Sequence, residues 1–467
     1  GGNKWILNPD LVVALRLIKE GQVWLRPEED FVEVARERFQ EDGSHRLIEI
    51  KREYLLDYLA ARGLSLRISS YSQRVENVAV VEETEYSDLA DFGEERDGGK
   101  FELHIASLNK ILGGTWGAIR TWRTDIDDLE DAPLLGPESN ENTDFETTEG
   151  IVSGYTGVRV EGEFWRDEWI EHENKSIRVR RDKNNDLPRF IVDTDGSRKA
   201  SDDLYTNNEG RWLWFGSNIV RTLLGHRSFC LLWYTAETGG IRSTSGYTTH
   251  FGLNSSDLVT VYAHDVARLA AWEQHVWAAH NVVPDGKIST ELFESQVKAN
   301  PASTHAAETK IFDEMRRLEK CFQEMHSIKL FIRDVYEFKE MQKISRFMSI
   351  DQASLLMLAK EVIRIFSDRL NVSDLRAVLR SSEGDNFGSN KLLQVILEKK
   401  VGKEKAREVF APIFAVYEMR VGDAHPTSSS INESIELAGI NSDDSYLRQG
   451  EQLISNFSNS LKLISEY

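Results

Sequence analysis

The segment RVGDAHP, residues 420–426, combines side chains that can cleave RNA without a metal ion. A histidine that titrates near neutral pH can accept the proton of a ribose 2′-hydroxyl, or give a proton to the leaving 5′-oxygen. An arginine can neutralise the charge that builds on the phosphate oxygens. Arg420 and His425 are therefore the candidate catalytic residues, and Asp423 between them is a candidate polar group of the same site.

Gly422 and Pro426 bear on whether these side chains can converge. Residues five apart on an uninterrupted helix point about 140° apart. Gly422 can end or loosen the helix, and Pro426 disfavours helical dihedral angles at His425. The segment thus predicts a site at the end of a helix. The structural alternative is that Arg420 is a charge near a helix C-terminus and that His425 caps or packs at a turn.

The elements around this segment are predicted to be helical. From about residue 290 onward, apolar side chains recur at i, i+3, i+4 and i+7, as in ETKIFDEMRRLEK and KEKAREVFAPIFAVYEMR. This spacing predicts a bundle of five or six helices. Ser349 or Asp351 is the candidate N-cap of the helix that begins near residue 352.

An R-x4-H pair at the end of a helix in a C-terminal all-α bundle resembles the signature of HEPN domains. These helical domains occur in prokaryotic toxins, antiviral effectors and some CRISPR nucleases. The resemblance covers residues 300–467. It implies a metal-independent endoribonuclease with Arg420 and His425 as catalytic residues, in which two such domains dimerise to build a composite site. Val421 stands where the family usually has a polar residue, and Asp423 would supply that polar group.

A second set of candidate residues lies in the segment DGSHRLIEIKREY. An acidic residue followed by E-x-K on a strand resembles the skeleton of the metal-dependent PD-(D/E)xK nucleases. Asp42 and Glu49 would then hold Mg²⁺, and Lys51 would orient the attacking water. The structural alternative is a half-exposed strand with alternating charges.

Four histidines between residues 250 and 280 are interpreted as structural or surface residues. Two of them are five apart on a predicted helix, so they do not share a face as an i, i+4 zinc pair would, and no H-E-x-x-H motif accompanies them. The four are His250, His264, His275 and His280.

The composition limits the class of protein. Net charge is −20, which argues against broad adhesion to nucleic acid or anionic membranes. The two cysteines, Cys230 and Cys321, argue against a disulfide framework or a cysteine-built zinc site.

No phosphate-binding loop, dinucleotide fingerprint or nucleophile elbow occurs, so neither a cofactor nor a metal is expected. No run of about 20 apolar residues and no signal-peptide layout is seen, which predicts a cytoplasmic protein.

The predicted fold class is multidomain α+β. At 467 residues the chain is long enough for two or three domains of ~100–200 residues each. We expect a small α/β module over residues 1–75, a β-rich α+β sensor or recognition domain over 76–290, and the HEPN-like helical bundle over 291–467. In the first of these, the alternation in RLIEI predicts a strand, and REYLLDYLAARG predicts a helix closed by Gly63. Residues 124–150 are acidic and are predicted to be a surface loop. Trp212, Trp214 and Trp233 are predicted to lie in the core of the middle domain.

Together these features predict an endoribonuclease effector of a bacterial antiviral defence, abortive-infection or toxin system. Its expected substrate is RNA, and its expected oligomer is a homodimer formed through the C-terminal bundle. Residues 1–290 would bind a trigger ligand or a phage protein at the middle domain. Two alternatives stay open: a non-catalytic recognition or dimerisation protein that binds a protein or nucleic acid, and the Mg²⁺-dependent nuclease.

Overall fold

The computed structural model describes residues 5–78, 92–96, 99–106, 115–123, 158–183, 186–206, 211–243, 246–332, 342–379, 386–422 and 428–467. For residues 69–168, 421–422 and 428–430, the description covers the backbone only, where it covers the residue at all. The predicted acidic loop at 124–150, Asp423 and His425 lie outside the described residues. Contacts divide the chain into two compact units: residues 1–15 with 34–183, and residues 16–33 with 184–467. The three-domain division stays a prediction.

The N-terminal elements are short hairpins and helices. They are α1 (Pro9–Ala14), β1 (Ile18–Glu20), β2 (Val23–Arg26), β3 (Val32–Phe39), β4 (His45–Ile50) and α2 (Arg52–Arg62). β1 pairs with β2, and β3 pairs with β4, both antiparallel. Gly63 ends α2 with a φ of 65°, a left-handed conformation that glycine adopts at low cost. The predicted strand in RLIEI and the helix closed by Gly63 are both found.

A five-stranded sheet completes the first unit. Its strands are β5 (Leu66–Val78), β6 (Phe92–Arg96), β7 (Gly99–Ala106), β8 (Thr115–Arg123) and β9 (Val158–Ile170), in the order β5-β9-β8-β7-β6. β8 and β9 run parallel, whereas the other neighbours run antiparallel. Parallel neighbours need a connection of at least about a dozen residues, and residues 124–157 separate these two strands.

The second unit contains a six-stranded antiparallel sheet in the order β13-β14-β15-β16-β12-β17. The elements of this region are β10 (Arg189–Ile191), β11 (Arg198–Ala200), α3 (Ser201–Thr206), β12 (Trp212–Gly216), α4 (Asn218–Leu224), β13 (Cys230–Trp233), β14 (Thr238–Arg242), β15 (Thr248–Leu253), β16 (Leu258–Tyr262), α5 (Ala263–Ala267), α6 (Ala271–Ala279) and β17 (Asn281–Val282). Apolar side chains of the sheet and of α4 and α6 form one core.

The tryptophans of this sheet are not its most buried residues. In β12, Leu213 and Phe215 are fully buried, whereas Trp212 and Trp214 are half-buried. Successive side chains of a strand point to opposite faces, so only every second residue of β12 reaches the core. The prediction followed aromatic content and ignored this alternation for Trp212 and Trp214, whereas Trp233 of β13 is partly buried and packs against the core as expected.

The C-terminal part of the second unit is helical. Its helices are α7 (Thr290–Lys298), α8 (Ala307–His326), α9 (Gln352–Ile365), α10 (Val372–Leu379), α11 (Ser389–Val401), α12 (Lys403–Gly422), α13 (Ser428–Leu437) and α14 (Tyr446–Glu466). α8, α9, α12 and α14 supply most of a continuous apolar core. The predicted fold class is confirmed: sheets occupy the N-terminal and middle regions, and helices follow. Of the helices in the described residues, none is both long and apolar enough to span a membrane.

Asp351 is the N-cap of α9, so one of the two predicted capping residues is confirmed. Its side chain accepts a hydrogen bond from the Ser354 N–H at 2.8 Å, and the Ser354 hydroxyl accepts one from the Asp351 N–H at 2.9 Å. This reciprocal pair satisfies backbone donors that the first turn of a helix leaves without partners. The position of α9 matters for the candidate site, because the turn that follows α9 contacts Arg420.

A buried arginine connects the helices to the six-stranded sheet. Arg346 is almost fully buried, and its guanidinium donates to both carboxylate oxygens of Glu308, with Nη2 2.8 Å from Oε2. Nη1 also lies 2.9 Å from Oε1 of Glu451 on α14. The guanidinium carbon lies 4.7 Å from the ring centroid of Trp233 on β13. One side chain thus contacts α8, α14 and the sheet.

Candidate functional site

Helix α12 places Arg420 at the surface of the helical core. Phe410, Ile413, Val416 and Met419 line one face of α12 and are fully buried. Each residue of an α-helix is rotated by about 100° from the one before it, so Arg420, seven residues after Ile413, projects in nearly the same direction as that face, in the last described turn of the helix. About a third of the Arg420 side chain is exposed, at 33%. The guanidinium is therefore anchored by a rigid helix and accessible to solvent.

Asp368 is the ion-pair partner of Arg420. It lies in the 3₁₀ turn Ser367–Arg369 that follows α9, and its Oδ1 accepts a hydrogen bond from Nη1 of Arg420 at 2.8 Å. The Asp368 side chain is 44% exposed. One turn earlier on α12, the ring of Tyr417 has its centroid 6.0 Å from the guanidinium carbon. These contacts favour one orientation of the arginine without burying it.

The guanidinium of Arg420 keeps the capacity to bind a phosphate. Arginine has five N–H donors in a planar arrangement that matches phosphate oxygens, and the bond to Asp368 uses one of them. An exposed ion pair contributes only about 0–1 kcal/mol, so an RNA phosphate can share the arginine with Asp368 or displace it.

Two buried polar atoms lie near the turn that carries Asp368. Within the described part of the chain, Oγ of Ser367 and Oδ1 of Asn390 have no hydrogen-bond partner. The two residues belong to segments in contact, since the Ser389 hydroxyl donates to the Ser367 carbonyl at 3.1 Å. Buried polar atoms almost always have partners, so this region has hydrogen-bonding capacity that the described residues do not use. No sequence pattern indicated Ser367 or Asn390.

The remaining residues of the R-x4-H segment are only partly described. The backbone of α12 continues through Val421 to Gly422, while Asp423 and His425 lie outside the described residues. Arg420 is thus the one predicted catalytic residue whose contacts can be given. The catalytic roles of Asp423 and His425 stay predictions.

The structure separates the carboxylates of the second candidate site. Asp42 lies in the turn between β3 and β4, where the hydroxyl and N–H of Ser44 donate to it at 2.6 and 2.8 Å and lower the pKa of its carboxyl. Glu49 lies four residues beyond His45 along β4, a span of about 13 Å at 3.3 Å per residue.

Glu49 has a protein partner instead of a shared ion. Its Oε2 accepts a hydrogen bond from Nε of Arg38 on the neighbouring strand at 2.5 Å. Lys51, the last residue of the E-x-K motif, is the N-cap of α2. Among the residues that the structure describes, no group of three His, Cys, Asp or Glu side chains is arranged to hold a metal ion.

The four histidines of the middle region make separate contacts. His250 stacks on Tyr234, and His264 stacks on Tyr205 with a ring-centroid distance of 5.0 Å. The contacts of the other two are 3.1 Å long: Nε2 of His275 to the Asp186 carbonyl oxygen, and Nδ1 of His280 to Oδ1 of Asn218. Burial lowers the pKa of His280.

Compared with known protein families, curated proteins and solved structures, the chain matches none. The likeness to HEPN domains therefore rests on the sequence of residues 300–467.

Proposed function

We propose that the protein is a metal-independent endoribonuclease whose site is built around Arg420 and His425. The observation that supports it is the placement of Arg420. It sits in the last described turn of a helix in an all-helical core and is accessible to solvent, and among the described residues Asp368 engages one of its donors. This is the arrangement that binding of an RNA phosphate requires.

In the proposed reaction the ribose 2′-oxygen attacks the adjacent phosphorus and the bond to the 5′-oxygen breaks. His425 acts as general acid or base in this proton transfer, and Arg420 stabilises the charge on the non-bridging oxygens. The proton that leaves the 2′-hydroxyl is balanced by the proton that the departing 5′-oxygen gains. The products are a 2′,3′-cyclic phosphate and a 5′-hydroxyl.

The biological setting follows from the resemblance to HEPN domains. In this proposal the protein is a cytoplasmic effector of bacterial antiviral defence, abortive infection or a toxin system. Two copies dimerise through the C-terminal helices to form the composite site. The region before residue 290 recognises a trigger ligand or phage protein and controls the helical effector.

The test is cleavage of total cellular RNA by the purified chain in EDTA. Native protein is compared with Arg420→Ala and His425→Ala. Matched controls are Arg407→Ala, an exposed arginine on the same helix, and His305→Ala, an exposed histidine outside the site. Loss of a general acid or base lowers the rate by about 10²-fold or more. We expect that loss in the two site variants and native activity in both controls.

Other outcomes favour the alternatives. Activity that needs Mg²⁺ and disappears in Glu49→Ala would indicate the metal-dependent nuclease. Cleavage that is equal in native protein, Arg420→Ala and His425→Ala would exclude this site. Absence of cleavage by the native chain, with RNA binding retained, would favour a recognition protein.

A further inference from the structure

A solvent-open cavity of about 520 Å³ lies within the first unit. One wall is the start of α2 and the other is the segment 173–178. Cavities of ~300–1,000 Å³ are the usual size for small-molecule ligands. The residues that line the cavity all belong to the first unit, whereas Arg420 belongs to the second.

Two positively charged residues stand at the start of α2, where the helix dipole is also positive. Lys51 is the N-cap and Arg52 is the first helical residue, and the Lys51 side chain makes no capping hydrogen bond. The N-terminus of a helix carries a partial positive charge, so cations are unfavourable there and anions are favourable. Within the described residues, the side chains of Lys51 and Arg52 make no hydrogen bond or ion pair. The start of α2 therefore carries two cations, Lys51 and Arg52, next to one carboxylate, Glu53, in the first turn.

The opposite wall of the cavity is held in place by Asp57. Its buried carboxylate accepts hydrogen bonds from the Ser176 hydroxyl at 2.6 Å, the Ile177 N–H at 3.0 Å and the Arg178 N–H at 2.9 Å. The negative charge of Asp57 is thus compensated by hydrogen-bond donors of the protein itself. Because the backbone is fixed at these residues, Lys175 is supported at the rim of the cavity.

The remaining charges at the cavity are positive in sum. Arg178 is engaged, since its Nη1 lies 3.7 Å from Asp57 and its guanidinium carbon lies 4.2 Å from the Tyr54 ring centroid. Setting aside that internal pair leaves three cations, Lys51, Arg52 and Lys175, and two carboxylates, Glu53 and Glu173. A positive cavity in a chain of net charge −20 is a local feature that favours an anion.

We propose that this cavity binds a small phosphorylated ligand of about mononucleotide size. Its phosphate lies at the start of α2, where Lys51, Arg52 and the first N–H groups of the helix can bind it. The two carboxylates accept hydrogen bonds from hydroxyl or amino groups of the ligand. Ile177, which is 41% exposed, and Leu56 provide an apolar surface for the rest of the molecule.

The test is calorimetric titration of the full chain with inorganic pyrophosphate, AMP and adenosine. We expect saturable binding of pyrophosphate and AMP, competition between them, and weaker binding at higher salt. Adenosine, which has no phosphate, binds at least 10-fold more weakly than AMP. Equal binding of adenosine and AMP, or no saturable binding of either phosphate probe, would overturn the proposal.

Two arginine variants make the assignment specific to the cavity. Arg52→Ala removes a cation of the cavity, and Arg46→Ala removes an exposed arginine on β4 in the same unit. We expect Arg52→Ala and Lys51→Ala each to raise the Kd for pyrophosphate about 10-fold, which equals about 1.4 kcal/mol. Arg46→Ala leaves the Kd unchanged. An equal increase of the Kd in Arg46→Ala and Arg52→Ala would contradict binding of pyrophosphate at this cavity. Because the readout is binding, it is independent of whether the protein cleaves RNA.

Discussion

Nη1 of Arg420 and Oδ1 of Asp368 lie 2.8 Å apart and join the last described turn of α12 to the 3₁₀ turn after α9. The two residues are 52 positions apart in sequence. The contact favours one orientation of the arginine, and about a third of its side chain stays accessible. Asp368 is thus a candidate positioning residue for the proposed phosphate-binding arginine.

Replacing Asp368 by asparagine tests this role. If Asp368 orients Arg420, Asp368→Asn lowers kcat for RNA cleavage by about 10-fold, or about 1.4 kcal/mol of transition-state stabilisation. KM for RNA stays equal or falls, because a negative charge near the phosphate is removed. The unfolding free energy changes by less than about 1 kcal/mol, as for other exposed ion pairs. Steady-state kinetics at several RNA concentrations separate kcat from KM.

The control for that variant is Asp313→Asn on α8. Asp313 is also exposed and also pairs with an arginine, Arg316, at 2.5 Å. It should leave both kinetic constants unchanged. An unaltered kcat in Asp368→Asn would reduce the Arg420 contact to an ordinary surface ion pair.

Removing one partner of the buried pair of Arg346 and Glu308 is expected to destabilise the fold far more than removing both. Arg346→Met leaves the Glu308 carboxylate buried without its cation, which costs about 3–5 kcal/mol. The double variant Arg346→Met/Glu308→Leu removes both charges and should recover most of that loss. Urea unfolding can be followed by tryptophan fluorescence, because Trp233 stacks on Phe347 and lies against the arginine. A double variant as unstable as the single one would contradict this account.

Glu273 on α6 should make stability depend on pH. Burial raises the pKa of its carboxyl from 4.5 to about 7; Ser243 opposes this and the charge of Asp30 adds to it. Between these two pH values the folded chain binds more protons than the unfolded chain, so stability falls as pH rises from about 4.5 to about 7. The full effect is about 3 kcal/mol and stays constant above that window.

The measurement is Tm against pH for native protein and Glu273→Gln. The glutamine variant carries no titrating group, so its Tm should fall less between pH 4.5 and 7 and exceed the native Tm at pH 8. Glu404→Gln, an exposed position at the start of α12, is the matched control and should follow the native curve. Parallel curves for Glu273→Gln and native protein would refute the burial argument.

Asp57 is predicted to hold the segment 176–178 against α2. Asp57→Ala removes the acceptor of three short hydrogen bonds and should destabilise the first unit by about 3 kcal/mol. Hydrogen exchange should speed up at the amides of Ile177 and Arg178. Asp42→Ala, which removes an exposed carboxylate from a hairpin turn, should leave exchange at those amides unchanged. Slow exchange there in Asp57→Ala would show that other contacts hold the segment.

Much of the local structure could be read from short stretches of sequence. The glycine after REYLLDYLAAR predicted the end of α2 at Gly63, and the structure has a left-handed glycine there. Asp351 was one of two candidates to cap α9, and it does so. In β12 the prediction of the buried residues was wrong, because it relied on aromatic content and not on the alternation of side chains along the strand. The fully buried residues of β12 are Leu213 and Phe215.

By itself the sequence indicated several helices and strands and where some of them end, because these properties depend on residues within a few positions of one another. The described residues nevertheless contain eight helices from residue 290 onward, where five or six were expected. The tertiary structure alone decided that Arg420 meets Asp368, that Arg346 lies between Glu308 and Glu451, and that Asp57 binds the backbone near residue 177. Those partners lie 38 to 120 positions apart along the chain. Their pairing follows from how helices and sheets pack around a shared core, and no local pattern encodes that packing.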